Sequence, residues 1–61
     1  MDDMTRKRVR EHAMKIEADA NLYEFTARCL WFLSGYSPEV GLNEASEFVH
    51  QIWEERKNKH E

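Results

Sequence analysis

Glu47 and His50 have the spacing of half a metal site. Glu and His three residues apart share one face of a helix, as in carboxylate-bridged di-iron bundles. A symmetric dimer would supply two copies of this pair, and Glu24 is the one obvious candidate for a further carboxylate ligand. The apolar residues around the pair, however, place both side chains toward the outer side of their helix. We therefore interpret Glu47 and His50 as a solvated face and predict no metal site.

Cys29 is the only cysteine of the chain, so no internal disulfide forms. A nucleophilic cysteine needs a nearby base and an electropositive, exposed setting. Cys29 instead lies in the most apolar stretch, and His12, His50 and His60 form no recognisable order with it. A buried structural cysteine is the better interpretation. With no glycine-rich phosphate loop either, we predict a non-enzymatic protein without a cofactor.

Four basic residues stand close together near the start of the chain: Arg6, Lys7, Arg8 and Arg10. One interpretation is contact with a phosphate or another anionic partner, which makes a nucleic-acid-binding regulator the alternative function. The other is a solvated face or ion pairs with Glu54, Glu55 and Glu61 of a partner chain. The net charge of −3 argues against a general nucleic-acid binder.

The segment 22–36, LYEFTARCLWFLSGY, holds five of the seven aromatic residues. A helix that is apolar on more than one face is buried between partners. One face carries Leu22, Phe25, Cys29 and Phe32, and another carries Tyr23, Ala27, Leu30 and Trp31. From these and the last helix we predict that a dimer or partner interface consists of Leu22, Phe25, Leu30, Trp31, Phe32 and Trp53.

The first half of the chain is predicted to be helical. Val9, Ala13 and Ile16 recur at the spacing of one helix face, which predicts a helix over about 5–18 after a loose end at 1–4. Asn21-x-x-Glu24 is typical of a capping box that opens a new helix. The apolar stripe nevertheless continues through this point, so one long helix and two helices both remain possible. We favour two, with a bend near Ala20.

The second half contains the turn signals. Gly35 is predicted to take a left-handed backbone and to end the central helix. Asn43 is predicted to cap a last helix over 44–57, folded back antiparallel on the central one. Its predicted inner face is Ala45, Phe48, Val49, Ile52 and Trp53, and no strand pattern is visible.

Length favours a homodimer. A chain of 61 residues is one small domain and buries only about 60% of its unfolded surface, so a lone core is marginal. Without disulfides or a metal, association is the remaining source of stability. The predicted fold is therefore all-α, a helical hairpin with an N-terminal helical segment, assembled as a homodimeric bundle. The absence of a long apolar run predicts no membrane span. The single thiol and the charged start predict a cytoplasmic protein.

Three blocks of the chain, TRKRVREHAMKI, LYEFTARCLWFLSGY and PEVGLNEASEFVHQIW, resemble the small early proteins of lambdoid bacteriophages. These are encoded in the exo–xis region of the early operon. The resemblance implies a small helical, non-enzymatic protein made in the bacterial cytoplasm early in infection. It also implies a regulator that acts on host growth or on the balance of lysis and lysogeny through a host protein partner. It carries over no functional residue.

Overall fold

The computed structural model describes residues 1–58 and contains three helices: α1 (Asp3–Met14), α2 (Leu22–Tyr36) and α3 (Leu42–Asn58). The described part of the chain has no strand, so the predicted all-α class is confirmed. Lys59, His60 and Glu61 lie outside the described residues. The interpretations above that involve His60 and Glu61 therefore stay predictions.

The three helices form an up–down–up bundle. His12 near the end of α1 stacks on Phe32 of α2, and Phe25 near the start of α2 meets Trp53 near the end of α3. Short connections favour such antiparallel neighbours. The predicted antiparallel return of the last helix is consistent with this, but the first segment is a full third helix of the bundle.

The start of α1 is ordered by two contacts. The Asp2 carboxylate accepts a hydrogen bond from the Thr5 backbone N–H at 2.8 Å, and hydrogen bonds from Thr5 lower the pKa of Asp2. The Met1 ammonium pairs with Glu44 of α3 at 2.8 Å. The predicted loose end at 1–4 is therefore wrong, because the cap begins the helix at Asp3.

The break between α1 and α2 is real, so the prediction of two helices is confirmed. α1 ends at Met14 rather than near Ala18, and Asn21 caps α2 by accepting from the Glu24 N–H at 2.8 Å. The Glu24 carboxylate turns away from the cap and pairs with Arg28 at 3.1 Å. Only the Asn21 half of the predicted capping box is observed.

The predicted end of α2 and start of α3 need correction. Gly35 lies inside α2, which runs on to Tyr36, and its φ is not positive. α3 begins at Leu42, and the Gly41 carbonyl accepts its first hydrogen bond from the Ala45 N–H at 2.9 Å. Asn43 therefore sits in the first turn and not at the cap. Glycine permits a left-handed backbone but does not impose one.

One contiguous core fills the space between the helices. The predicted apolar stripe of the first segment, Val9, Ala13 and Ile16, is buried. Of the five residues predicted for the inner face of α3, four are buried and Trp53 is half-buried. The described residues of one chain thus already form a contiguous core to which α1, α2 and α3 all contribute, and the predicted homodimer stays a prediction. The core residues are Val9, Ala13, Ile16, Ala20, Phe25, Cys29, Leu33, Ala45, Phe48, Val49 and Ile52.

Arg56 of α3 joins the end of α1 to the core. Its guanidinium donates to the carbonyls of Ala13 at 3.3 Å and Ile16 at 2.7 Å, and also to that of Glu17. The last carbonyls of a helix lack partners within it and carry the negative end of its dipole. The same guanidinium lies 5.2 Å from the centre of the Phe25 ring of α2. One side chain therefore contacts all three parts of the bundle.

Replacing Gly35 by alanine should stabilise the protein. The helical backbone there is compatible with any residue, and a Cβ would meet nothing within 4 Å. We expect Gly35→Ala to raise the free energy of unfolding by about 0.5 to 1 kcal/mol in a urea titration. Gly41→Ala is the matched control, since alanine is a poorer cap than glycine and should not stabilise. A loss of stability in Gly35→Ala would contradict the helical assignment.

Replacing Arg56 by methionine tests its contacts while keeping a long stem of similar helix propensity. Hydrogen bonds from a charged group contribute about 1.5 to 3 kcal/mol, so Arg56→Met should lower the free energy of unfolding by that amount. The neighbouring Lys57 is exposed, and Lys57→Met should change it by less than about 0.5 kcal/mol. Equal effects of the two substitutions would show that the α1 carbonyls do not depend on Arg56.

Candidate interaction surface

Glu47 and His50 both point to solvent, which confirms their predicted outward position. His50 lies 3.4 Å from Glu54, one turn further along α3. Glu24, the candidate third ligand, is on α2 and pairs with Arg28. Among residues 1–58 no group of three His, Cys, Asp or Glu side chains is arranged to hold a metal ion.

Cys29 is fully buried in the core, as predicted for a structural cysteine. Burial raises the pKa of its thiol to about 11, and the charge of Arg56 opposes this only in part. The thiol is therefore protonated at neutral pH and is screened from solvent. This setting is the opposite of the electropositive, exposed one that a nucleophilic cysteine requires.

The basic cluster is divided by its contacts, because Arg10 pairs with α3 whereas Arg6, Lys7 and Arg8 are exposed. Each residue advances about 100° around a helix, so consecutive side chains diverge. Arg10 turns toward α3, where it pairs with Glu55 and lies over the Phe48 ring at 5.2 Å. The ion pair with Glu55 forms within one chain. Arg10 is thus committed to the contact between α1 and α3.

The other three cluster members, Arg6, Lys7 and Arg8, are exposed on α1. Arg6 pairs with Asp3 at 3.0 Å, and Arg8 pairs with Glu11 at 3.0 Å. Hydrogen bonds to Glu11 and then to Tyr36 raise the pKa of Arg8. Lys7 is exposed on the outer side of α1. The four positive charges are dispersed, and most are balanced locally by a carboxylate.

Phe32 belongs to an aromatic ladder between α1 and α2. Its ring stacks on His12 at 4.6 Å and on Tyr36 at 5.5 Å, with the planes within 11° of parallel. Stacked rings of this kind stabilise helix contacts beyond their buried area. Phe32 is consequently engaged inside the chain, and only part of it is exposed.

The six residues predicted to form an interface are separated by the fold. Phe25 is fully buried in the chain's own core and so cannot contact a partner. Leu30, Phe32 and Trp53 are half-buried at the edges of the core, and Leu22 is exposed at the start of α2. Trp31 alone combines a large apolar side chain with high exposure, at 78%. The prediction that Phe25 lies in an interface is therefore wrong, because Phe25 is on the side of α2 that faces the chain's own core.

We define the α2 outer face as Tyr23, Ala27, Trp31 and Ser34. All four side chains are exposed, and they follow one another at helical spacing on the side opposite Phe25, Cys29 and Leu33. Tyr23 is 84% exposed, which makes it and Trp31 two large aromatic rings in water. Adjacent exposed aromatics on a rigid helix are a typical interaction surface.

The borders of the α2 outer face differ in character. On one side Glu24 and Arg28 form an i,i+4 ion pair at 3.1 Å. Beyond them, an open groove between α1 and α2 is lined by His12, Lys15, Ile16, Ala27, Arg28 and Trp31. On the other side Leu30 meets the core next to the turn into α3. The outer face therefore has one charged border and one apolar border.

Two structural features were missing from the sequence predictions. Tyr23 was not included in the predicted interface, although its spacing of four residues from Ala27 and eight from Trp31 marks one ridge of a helix. Arg56 was not among the residues singled out from the sequence. No sequence signal points from Arg56 to the carbonyls of α1, because that contact spans about forty residues.

Comparison with protein-family models, with curated proteins and with solved structures returns no match. None of the helices within residues 1–58 has the length and apolar character needed to cross a bilayer.

The raised pKa of Cys29 predicts a pH dependence of stability. Unfolding returns the thiol to its ordinary pKa of 9.0, so the unfolded chain releases the proton more readily. Stability from this difference is complete below pH 9.0 and is lost as the pH rises toward about 11. Urea titrations across this interval should show a steeper decline for the wild type than for Cys29→Ala. Parallel declines would indicate that the thiol ionises equally in both states.

Proposed function

We propose that this chain is a non-enzymatic protein-interaction module that binds a protein partner through the α2 outer face. The observation that carries the proposal is the exposure of Tyr23 and Trp31 on a helix whose opposite face already fills the core. The fold does not use these two rings for its own stability. Aromatic side chains, tryptophan and tyrosine above all, dominate the binding energy of protein interfaces.

A protein fits this surface better than a small molecule does. Small-molecule sites are concave and enclose most of their ligand. The α2 outer face is a convex ridge, and the groove beside it is open to solvent. A rigid helix that presents residues at i, i+4 and i+8 is the form in which helices enter a groove or pack against another helix. The expected partner therefore offers a helix or an apolar cleft.

Nucleic acid is less well supported as the partner. Affinity for nucleic acid rests on several cations that face the phosphates together. Arg6, Arg8 and Arg10 each have a carboxylate partner within the chain, which balances part of their charge. The overall charge is also negative. We therefore retain protein binding as the function.

The resemblance to small early proteins of lambdoid phages suggests the setting of this interaction. In that setting the chain acts in the cytoplasm of the infected bacterium, as a small regulator of host growth or of the lysis–lysogeny balance. A protein without catalytic groups would act there by occupying a surface of a host protein. The proposed partner is accordingly a bacterial protein.

Affinity capture from bacterial cytoplasm tests this proposal. We expect wild-type protein to retain a host protein that the double variant Tyr23→Ala, Trp31→Ala loses, because both anchoring rings are removed. Circular dichroism should show that the variant keeps its helices, since neither ring lies in the core. Met14→Ala is the matched control, because Met14 is also 84% exposed but lies on α1. A host protein that binds the double variant as well as the wild type would refute the α2 outer face.

A further inference from the structure

We infer that the open groove between α1 and α2 binds an acidic, amphipathic helix of a protein partner, whose carboxylates contact Lys15 and Arg28 while an apolar side chain packs on Trp31. This inference rests on the proposed function, because the groove shares Ala27 and Trp31 with the α2 outer face. It adds the chemistry of the partner, which two exposed rings alone do not specify. The charges of the groove, their available donors and its apolar lining all favour that chemistry.

The charged groups that line the groove are basic. Lys15 and His12 come from the end of α1 and Arg28 comes from α2, and no carboxylate of residues 1–58 is among the lining residues. Glu17 and Asp19 are exposed in the connection that follows, outside this lining. The net charge of the chain is −3, so the sign of the groove is opposite to that of the chain as a whole. Complementary charge favours one class of partner and disfavours others, and here it favours an acidic one.

The groove keeps hydrogen-bond donors available for that partner. Lys15 is exposed, and no ion pair joins it to another residue within 1–58. Arg28 is 50% exposed and contacts Glu24 through one terminal nitrogen at 3.1 Å, whereas a guanidinium has five N–H donors. The imidazole of His12 donates one ring N–H even when it is neutral. A partner carboxylate can therefore bind here without displacing a contact of the core.

Arg56 removes an obstacle to an anion at this position. The last carbonyls of a helix carry the negative end of its dipole, which would repel a carboxylate beside Lys15. The Arg56 guanidinium donates to the carbonyls of Ala13 at 3.3 Å and Ile16 at 2.7 Å, so its positive charge offsets that end of the dipole. The groove between α1 and α3 differs, because Arg10 and Arg56, its basic lining residues, are both engaged within the chain.

The apolar lining selects an amphipathic helix over a free anion or a nucleic acid. Trp31 is 78% exposed and lines the groove together with Ala27 and Ile16. Covering the indole ring removes apolar area from water, and tryptophan is a frequent hot spot of protein interfaces. A helix with an apolar stripe and flanking carboxylates matches both the ring and the cations. Nucleic acid matches less well, since its affinity rests on many cations that face the phosphates together.

Fluorescence anisotropy with labelled peptides tests the inference. The probes are a panel of fluorescein-labelled peptides of about fifteen residues, long enough to form a helix, with glutamates and a leucine stripe at varied positions. A matched panel carries lysine in place of each glutamate. We expect acidic probes to bind in the micromolar range and basic ones at least tenfold more weakly. Equal binding of the two panels, no binding of either, or tighter binding of a single-stranded oligonucleotide would overturn the inference.

Two lysine substitutions separate the groove from the net charge. Lys15→Glu and Lys7→Glu change the charge of the chain equally, and both lysines are exposed, but only Lys15 lines the groove. Lys15→Glu should weaken binding of the acidic probe by roughly fivefold or more, and Lys7→Glu by less than about twofold. Trp31→Ala should weaken it by roughly 30-fold, the loss expected at a hot spot. Equal effects of the two lysine substitutions would overturn the groove as the site.

A substitution at Glu24 has the opposite expected sign. Glu24 competes with a partner carboxylate for Arg28, so Glu24→Gln should strengthen binding of the acidic probe by roughly twofold or more. A variant that only loosened α2 would weaken binding instead. Circular dichroism of each variant should match the wild type, because Lys15, Glu24 and Trp31 lie outside the buried core. Weaker binding by a well-folded Glu24→Gln variant would contradict the role of Arg28.

The two proposals fail separately. Capture of a host protein that depends on Tyr23 and Trp31 but is unchanged by Lys15→Glu would overturn the acidic partner and support the proposed function. Peptide binding that depends on Lys15 and Trp31, from a protein that captures no host partner, would support the groove and refute the proposed function.

Discussion

The contact between Arg56 and the end of α1 is the interaction on which the rest of the bundle depends. α1 is followed by no glycine before Gly35, so no left-handed residue closes its last turn. The N–H groups of Lys15 and Ile16 close this turn on the carbonyls of His12 and Ala13, and the guanidinium of Arg56 adds hydrogen bonds to the carbonyls of Ala13 and Ile16 and lies against the Phe25 ring. A single planar cation thereby links the end of α1 to α3 and to a core residue of α2. Lysine could not replace it, because its ammonium lacks the rigid fork of donors.

Closure of the core within one chain determines what remains on the surface. With α1 on one side and α3 on the other, α2 buries only the side that carries Phe25, Cys29 and Leu33. On its other side Tyr23 and Trp31 remain largely exposed. Exposed rings of this size carry an unfavourable hydration free energy, which contact with a partner removes. The closed core and the exposed aromatic residues of α2 thus have the same structural origin.

The distribution of charge also distinguishes the surface of α1 from that of α2. Arg6, Arg8 and Arg10 are balanced by carboxylates close by, and Arg10 also links α1 to α3. Exposed ion pairs of this kind contribute little to stability. Their effect is to leave no concentrated positive surface on α1. The α2 outer face carries two exposed aromatic rings, Tyr23 and Trp31.

The sequence by itself determined the local features. The stripes through Val9 and Ala13 in α1 and through Phe48 and Val49 in α3 were predictable because burial follows helix periodicity. The cap at Asn21 was predictable because it involves residues only three apart. Gly35 was misjudged because its flexibility permits a helix end without requiring one.

Only the tertiary structure decided which side of α2 is covered. The segment is apolar on two sides, and both had been offered as interface because periodicity cannot rank them. Which side is covered depends on where α1 and α3 pack against α2. The contacts of Arg56 with Phe25 and of His12 with Phe32 show this packing. These contacts join residues 20 to 43 positions apart, and no local pattern encodes such pairings. The sequence therefore determined the helices and their inner faces, whereas packing decided which aromatic residues remain exposed.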